Sequence, residues 1–169
     1  LLGKIFNKMG LLSKGHVHEV DRADLVAEYI GQTAPKVKDA IEQARGGILF
    51  VDEAYSLFRS GEDNKDFGRE VIEILIKEMS DGPGDIAVFV AGYPKEMEVF
   101  LDSNPGLKSR FIHYFDFPDY TPQELKEIAL SSVKENKLII EENATTYLYK
   151  KLVDSYRART RSFGNARMV

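Results

Sequence analysis

The sequence predicts an α/β fold, three layers built around a parallel sheet, followed by a small all-helical part. Three observations predict it. Short apolar runs alternate with helical periodicities from residue 16 to 117. Two of those runs, "GILFVDE" and "IAVFVAG", are too uniformly apolar for strands that keep one face in water. Beyond "PDYTPQE" only helical patterning remains. At 169 residues there is room for one ordinary domain with a small appendage. An apolar fraction of 43% beside 30% charged residues is the balance of a globular chain rather than a disordered one. The net charge of −4 offers no global attraction to a polyanion. With no cysteine, disulfides and thiolate zinc sites are excluded, and a cytoplasmic setting fits. No apolar run reaches the length of a membrane span, so no membrane partner is expected.

Taken in order, "LLGKIFNKMGLL" places Leu1, Leu2, Ile5, Phe6 and Met9 on one helical face, an amphipathic helix caught midway. "HVHEVD" (16–21) alternates as a strand. "DRADLVAEYIG" (21–31) reads as a short helix capped by Asp21 and closed at Gly31. "TAPKVKDAIEQARGG" (33–47) sets Val37, Ala40, Ile41 and Ala44 at helical spacing, with Thr33 as its cap, Pro35 in its first turn and Gly46 at its end. "GILFVDE" is a strand of the kind covered on both faces. After the polar loop 59–66, helix 67–79 carries Phe67, Val71, Ile74, Leu75 and Met79 on one side. "IAVFVAG" (86–92) is a second buried strand, "PKEMEVFLDS" a short helix, "NPGLKSRF" a tight turn and "FIHYFDF" (111–117) a further strand. Thr121, Pro122 and Glu124 then form a capping box with proline at the first helical position. Helices follow over roughly 122–136 and 143–158, with another beginning near Gly164. The division expected is 1–118 for the α/β part and 119–169 for the helical part.

"GGILFVDEAYSL" (46–57) carries the first chemistry. An apolar strand that ends in Asp52-Glu53 is the Walker B pattern of a P-loop nucleotidase. The strand end puts both acids at the carboxyl edge of the sheet, where ligands of open α/β folds bind. There Asp52 would hold Mg²⁺ through water and Glu53 would polarise the attacking water. The plainer reading is a strand that emerges into solvent at two acids. The partner motif G-x-x-x-x-G-K-[ST] does not occur: Gly3-Lys4 is followed by Ile5, which has no hydroxyl for Mg²⁺.

"DLVAEYIGQTAPKVKDAIEQARGGILFVDEAYSL", "AGYPKEMEVFLDSNPGLKSRF" and "FGNARMV" together resemble the AAA+ ATPases of the CbbX/CfxQ group. That group includes red-type Rubisco activase and stage V sporulation protein K. The likeness covers essentially the whole chain, with several motifs in the right order. It implies a P-loop NTPase (AAA+) large subdomain over 1–118 and an all-α lid over 119–169, incomplete at its end. It also implies that the chain starts just after the P-loop. The strand before that loop would be central, and its loss would leave neighbours with unpaired backbone groups, so the sequence reads as a piece of a longer protein. ATP hydrolysis is accordingly expected of the intact protein, with the chain as given lacking its phosphate cradle.

The resemblance assigns further residues. Tyr29-Ile30-Gly31 match the aromatic pore loop of remodelling rings, the alternative being that Tyr29 and Ile30 pack under the sheet. Loop 59–66 is either a second pore loop or a solvated turn. Arg110 matches the arginine finger that reaches a neighbour's ATP, a task suited to a permanently charged fork. Lys108 could equally fill that place, and a surface arginine is the plain alternative. Arg167 matches the sensor 2 arginine of the lid. The polar sensor 1 residue is not evident, with Tyr93 near its place and Asn104 an alternative. A finger acting in trans implies a homo-oligomeric ring, a hexamer, and the pore implies a protein substrate.

Nucleic acid is disfavoured: "RARTR" (157–161) is basic but has no aromatic interleaving or wider basic face, as in a solvated turn. His16-x-His18 has no third ligand for a metal, and His113 sits in the 111–117 strand as a structural residue. The competing classes are a DNA-directed AAA+ motor, marked by DNA-stimulated ATPase activity, and a nucleotide-free adaptor module, marked by failure to bind nucleotide.

Overall fold

The computed structural model describes residues 1–29, 31–58, 67–160 and 163–169. The chain divides into two units, Leu1–Tyr114 and Phe115–Val169.

The first unit is built on a three-stranded parallel sheet in the order β1 (Val17–Val20), β2 (Ile48–Val51), β3 (Ala87–Val90). Val17 pairs with Ile48, and Ile48 with Ala87. Helices α2 (Arg22–Leu25) and α3 (Thr33–Ala44) connect β1 to β2, and α4 (Phe67–Asp81) connects β2 to β3. Because strand side chains alternate, the register sorts the layers. Leu49 and Val51 point into the main core with Val37, Ile41, Val71 and Leu75 of α3 and α4. Phe50 and its partner Phe89 lie on the opposite face, where Phe6 of α1 (Leu2–Lys8) meets the Phe89 ring at 6.2 Å. Helix, sheet and helix therefore form the three layers expected.

Several local expectations are corrected. Leu1, Leu2, Ile5 and Met9 of the first helix are exposed, and only Phe6 of that set approaches the sheet; the helix is held instead by Gly3, whose missing Cβ lets its backbone lie against Gly15. The helix after Asp21 ends at Leu25 rather than Gly31, because Val26 turns extended (φ −92°, ψ 134°). Gln32, not Thr33, occupies the cap of α3; the buried Thr33 hydroxyl instead accepts from the Ala27 amide. β3 is half-buried along its length rather than buried on both faces.

"NPGLKSR" forms a helix, α6 (Pro105–Arg110), rather than a turn. Asn104 caps it and Pro105 opens it, and α5 (Pro94–Asp102) precedes it. Residues 111–117 are not a strand. Alternation supplies faces but no partner, and β3 is laddered to β2 alone among the described residues. His113 is exposed in this irregular stretch.

The second unit packs α7 (Pro122–Glu135) against α8 (Glu142–Arg157), burying Leu125, Ala129 and Leu152. The Thr121–Glu124 capping box forms as read from the sequence. The helix expected near Gly164 is a single 3₁₀ turn, Asn165–Met168. Asn165 sits in the left-handed region (φ 51°), and its side chain is tied to the Tyr120 amide and the Asp119 carboxylate. Among the described residues, no helix is long and apolar enough to cross a membrane.

Candidate functional site

β2 ends with its ladder still held on both sides: Asp52 N donates to Val20 O at 2.9 Å and Ala54 N to Ala91 O at 3.0 Å. Between those bonds Glu53 adopts a left-handed conformation (φ 46°, ψ 43°). For a residue with a Cβ this costs on the order of 1–3 kcal/mol. It turns the chain out of the strand into the 3₁₀ turn Ala54–Leu57, and Asp52 Oδ1 accepts from Glu53 N at 2.9 Å. Ala54 and Leu57 anchor the turn in the core. Both acids are exposed, and neither has an ion-pair partner among the described residues.

The acids line an open cleft of about 970 Å³ together with Asp21, Arg22, Tyr29 and Lys36. The cleft wall is braced. Asp21 caps α2 and receives a reciprocal bond through Asp24, and Leu25 is fully buried beneath it. Lys36 Nζ donates to the carbonyls of Ala23 (2.8 Å) and Val26 (3.3 Å), satisfying the end of this short helix. Arg22 Nη1 donates to Ser56 O at 2.6 Å, tying α2 to the turn that follows Glu53.

Tyr29 projects from this wall 65% exposed, so it does not pack under the sheet. Gly31, at φ +83°, has open space where a Cβ would stand. Ile30 and the loop 59–66 lie outside the described residues, as do Arg161 of "RARTR" and Ser162.

Tyr55, which sequence reading passes over, sits beside Glu53. Burial raises its hydroxyl above the ordinary phenol value, followed by the Glu53 charge and a side-chain hydrogen bond to Glu53. Its ring lies 6.3 Å from the ring of Tyr93, and a Cβ on Gly92 would strike it. Tyr93 is thereby brought next to the acid turn. Asn104 commits its amide oxygen to the Gly106 amide at 2.7 Å, as the cap of α6. The only sequence signal for this arrangement is the Gly92-Tyr93 step at the end of a strand.

Of the two candidate cations on α6, Lys108 pairs with Asp102 at 2.6 Å. Arg110, at the helix end, bonds only neutral partners among the described residues: Ser80, Gly106 O and Ser109. Arg167 is exposed on the 3₁₀ turn of the second unit. His16 Nε2 lies 2.7 Å from Gln43 O. No group of three or more metal-ligating side chains occurs among the described residues.

The donor set fits Mg²⁺ of the kind bound through one or two carboxylates and the substrate's phosphates rather than in an all-protein cage. Asp52 supplies a hard, exposed oxygen with no ion-paired cation among the described residues.

Two family profiles match the chain. The profile of the "ATPase family associated with various cellular activities (AAA)" matches residues 2–118, and that of the "AAA lid domain" matches 121–169. The chain belongs to the AAA ATPase family. Among curated relatives it is 51% identical over 144 residues to stage V sporulation protein K of Bacillus subtilis, covering 85% of this chain and 44% of the relative. It is 41% identical over 165 residues to protein CbbX of Cereibacter sphaeroides, covering 98% and 52%. A CfxQ homolog of Pyropia yezoensis is 42% identical over 169 residues, covering 98% and 56%. The AAA chain thus spans about half the length of the curated relatives it matches.

Proposed function

We propose that the intact protein is an ATP-hydrolysing, protein-remodelling AAA+ motor of the CbbX and sporulation protein K type, working as a homohexameric ring in the cytoplasm. The observation that carries this reading is the exposed Asp52–Glu53 pair, set at the carboxyl end of a parallel strand by a left-handed turn and without an ion-pair partner among the described residues. An acid pair whose second member, Glu53, is held in a strained conformation at a sheet edge suits a phosphoryl-transfer site.

In this reading residues 1–118 form the large subdomain and 119–169 the lid. Bound Mg²⁺ would neutralise charge developing on the phosphates. Asp52 holds that ion through water. Glu53 orients the attacking water and takes up its proton. Tyr93, brought beside Glu53 by Tyr55, is the better placed of the two sensor 1 candidates. Arg167 contributes from the lid in cis, and Arg110 completes the site of the adjoining subunit. Tyr29, with Ile30 and Gly31, grips an extended polypeptide in the pore. The exposed Tyr29 ring supports this, and Arg22 and Lys36 give its segment a rigid connection to the acid turn.

Glu53→Gln keeps the shape of the site and removes its base. In the intact protein this variant is expected to bind ATP normally and to hydrolyse it about 10²–10⁴-fold more slowly. Near-normal turnover would overturn the assignment.

A further inference from the structure

Arg110 is exposed, yet its guanidinium is fixed through all three of its nitrogens. Nε donates to Ser80 Oγ at 2.7 Å and Nη2 donates to the same oxygen. Nη1 donates to Gly106 O at 3.2 Å and Ser109 Oγ at 3.1 Å. Ser80 stands in the last turn of α4, and its own proton is committed to Ile76 O at 2.8 Å. With that proton engaged, the oxygen's lone pairs are left to the guanidinium, which has only donors to offer. Among the described residues, every partner is neutral. The contrast with Lys108 on the same helix is direct, since Lys108 gives its charge to Asp102.

A carboxylate at position 80 would hold Arg110 as well as serine does but would cancel its charge. An alanine would leave the charge and release the side chain to its many rotamers. A hydroxyl with a pre-engaged proton fixes the group and leaves its charge available to an anion.

We propose that Ser80 is a positioning residue for Arg110: it orients the guanidinium as a neutral acceptor so that the full positive charge is presented to a phosphate of an adjoining copy. This rests on the reading of Arg110 as the residue that completes a neighbour's site.

The test is steady-state ATP hydrolysis by the intact, assembled protein carrying Ser80→Thr, Ser80→Ala, Ser80→Asp or Arg110→Ala. Thr keeps the hydroxyl and is expected to retain wild-type kcat. Ala is expected to lower kcat about 3- to 10-fold. Asp, by pairing with the guanidinium, is expected to fall below Ala and to recover partly as salt rises. KM for ATP, the oligomeric state and the melting temperature of Ser80→Ala should match wild type, which a merely structural role for Ser80 would not produce. The proposal is overturned if Ser80→Ala keeps full kcat while Arg110→Ala is inactive, or if Asp equals or exceeds Ala. An active Arg110→Ala would overturn the reading of Arg110 itself, and Ser80's role with it.

Discussion

Thr33 has a fully buried side chain whose hydroxyl accepts from the Ala27 amide at 3.2 Å, closing the segment that carries Tyr29. Valine has nearly the same shape but no acceptor, so Thr33→Val leaves a buried amide unpaired. We expect it to lose about 1–3 kcal/mol in a urea titration. A loss within a few tenths of wild type would mean that water reaches Ala27. Residue types alone do not show this bond, because a threonine before "APKV" also reads as a helix cap. Only the fold brings Thr33 under the Ala27 amide. Asp52 and Glu53 are different: an apolar run that ends in two acids is visible in any sequence, and the local turn needs only that strand to emerge. Ser80 lies at the other extreme. A serine in the last turn of a helix looks solvated until α6 is set beside it.

Elements were legible where local signals suffice. The Asp21 cap, the Thr121 capping box, Pro122 at a helix start and the uniformly apolar β2 all depend on residues within a few positions. Residues 111–117 were not, because a strand also requires a ladder partner that its own pattern cannot supply. The turns that lead into the three strands show how far such partnerships reach. Lys14 N and Gly15 N both donate to Gly46 O, Gly46 N donates to Asp85 O, and the Ser13 hydroxyl and amide donate to the Asp85 carboxylate. The Ser13 hydroxyl, then its amide, hold the Asp85 carboxyl below the usual carboxylate value. A depressed folded value stabilises the fold at every pH above the unfolded value and loses that contribution as pH falls through the folded one. Asp85→Asn is therefore expected to lower stability at neutral pH and to flatten the stability profile below about pH 4. Denaturant midpoints measured across that range would check it. Parallel profiles for the two proteins would remove Asp85 from the acid response.

At the scale of the whole molecule, the chain divides into two units, with Asp52, Glu53 and Arg110 in the first and Arg167 in the second. The proposed mechanism divides the reaction further, between copies: Glu53 acts on the nucleotide of its own subunit and Arg110 on that of its neighbour. Glu53 and Arg110 were both marked by sequence, but the neutral surroundings that leave Arg110 its charge belong to the fold. The most direct test mixes two inactive variants of the intact protein, Glu53→Gln and Arg110→Ala, under conditions where subunits exchange. Wherever an Arg110→Ala subunit offers its intact Glu53 to the intact Arg110 of a Glu53→Gln neighbour, one complete site is restored. The account predicts that the mixture hydrolyses ATP well above either variant alone. A mixture of exchanged rings as inactive as its parts would contradict it.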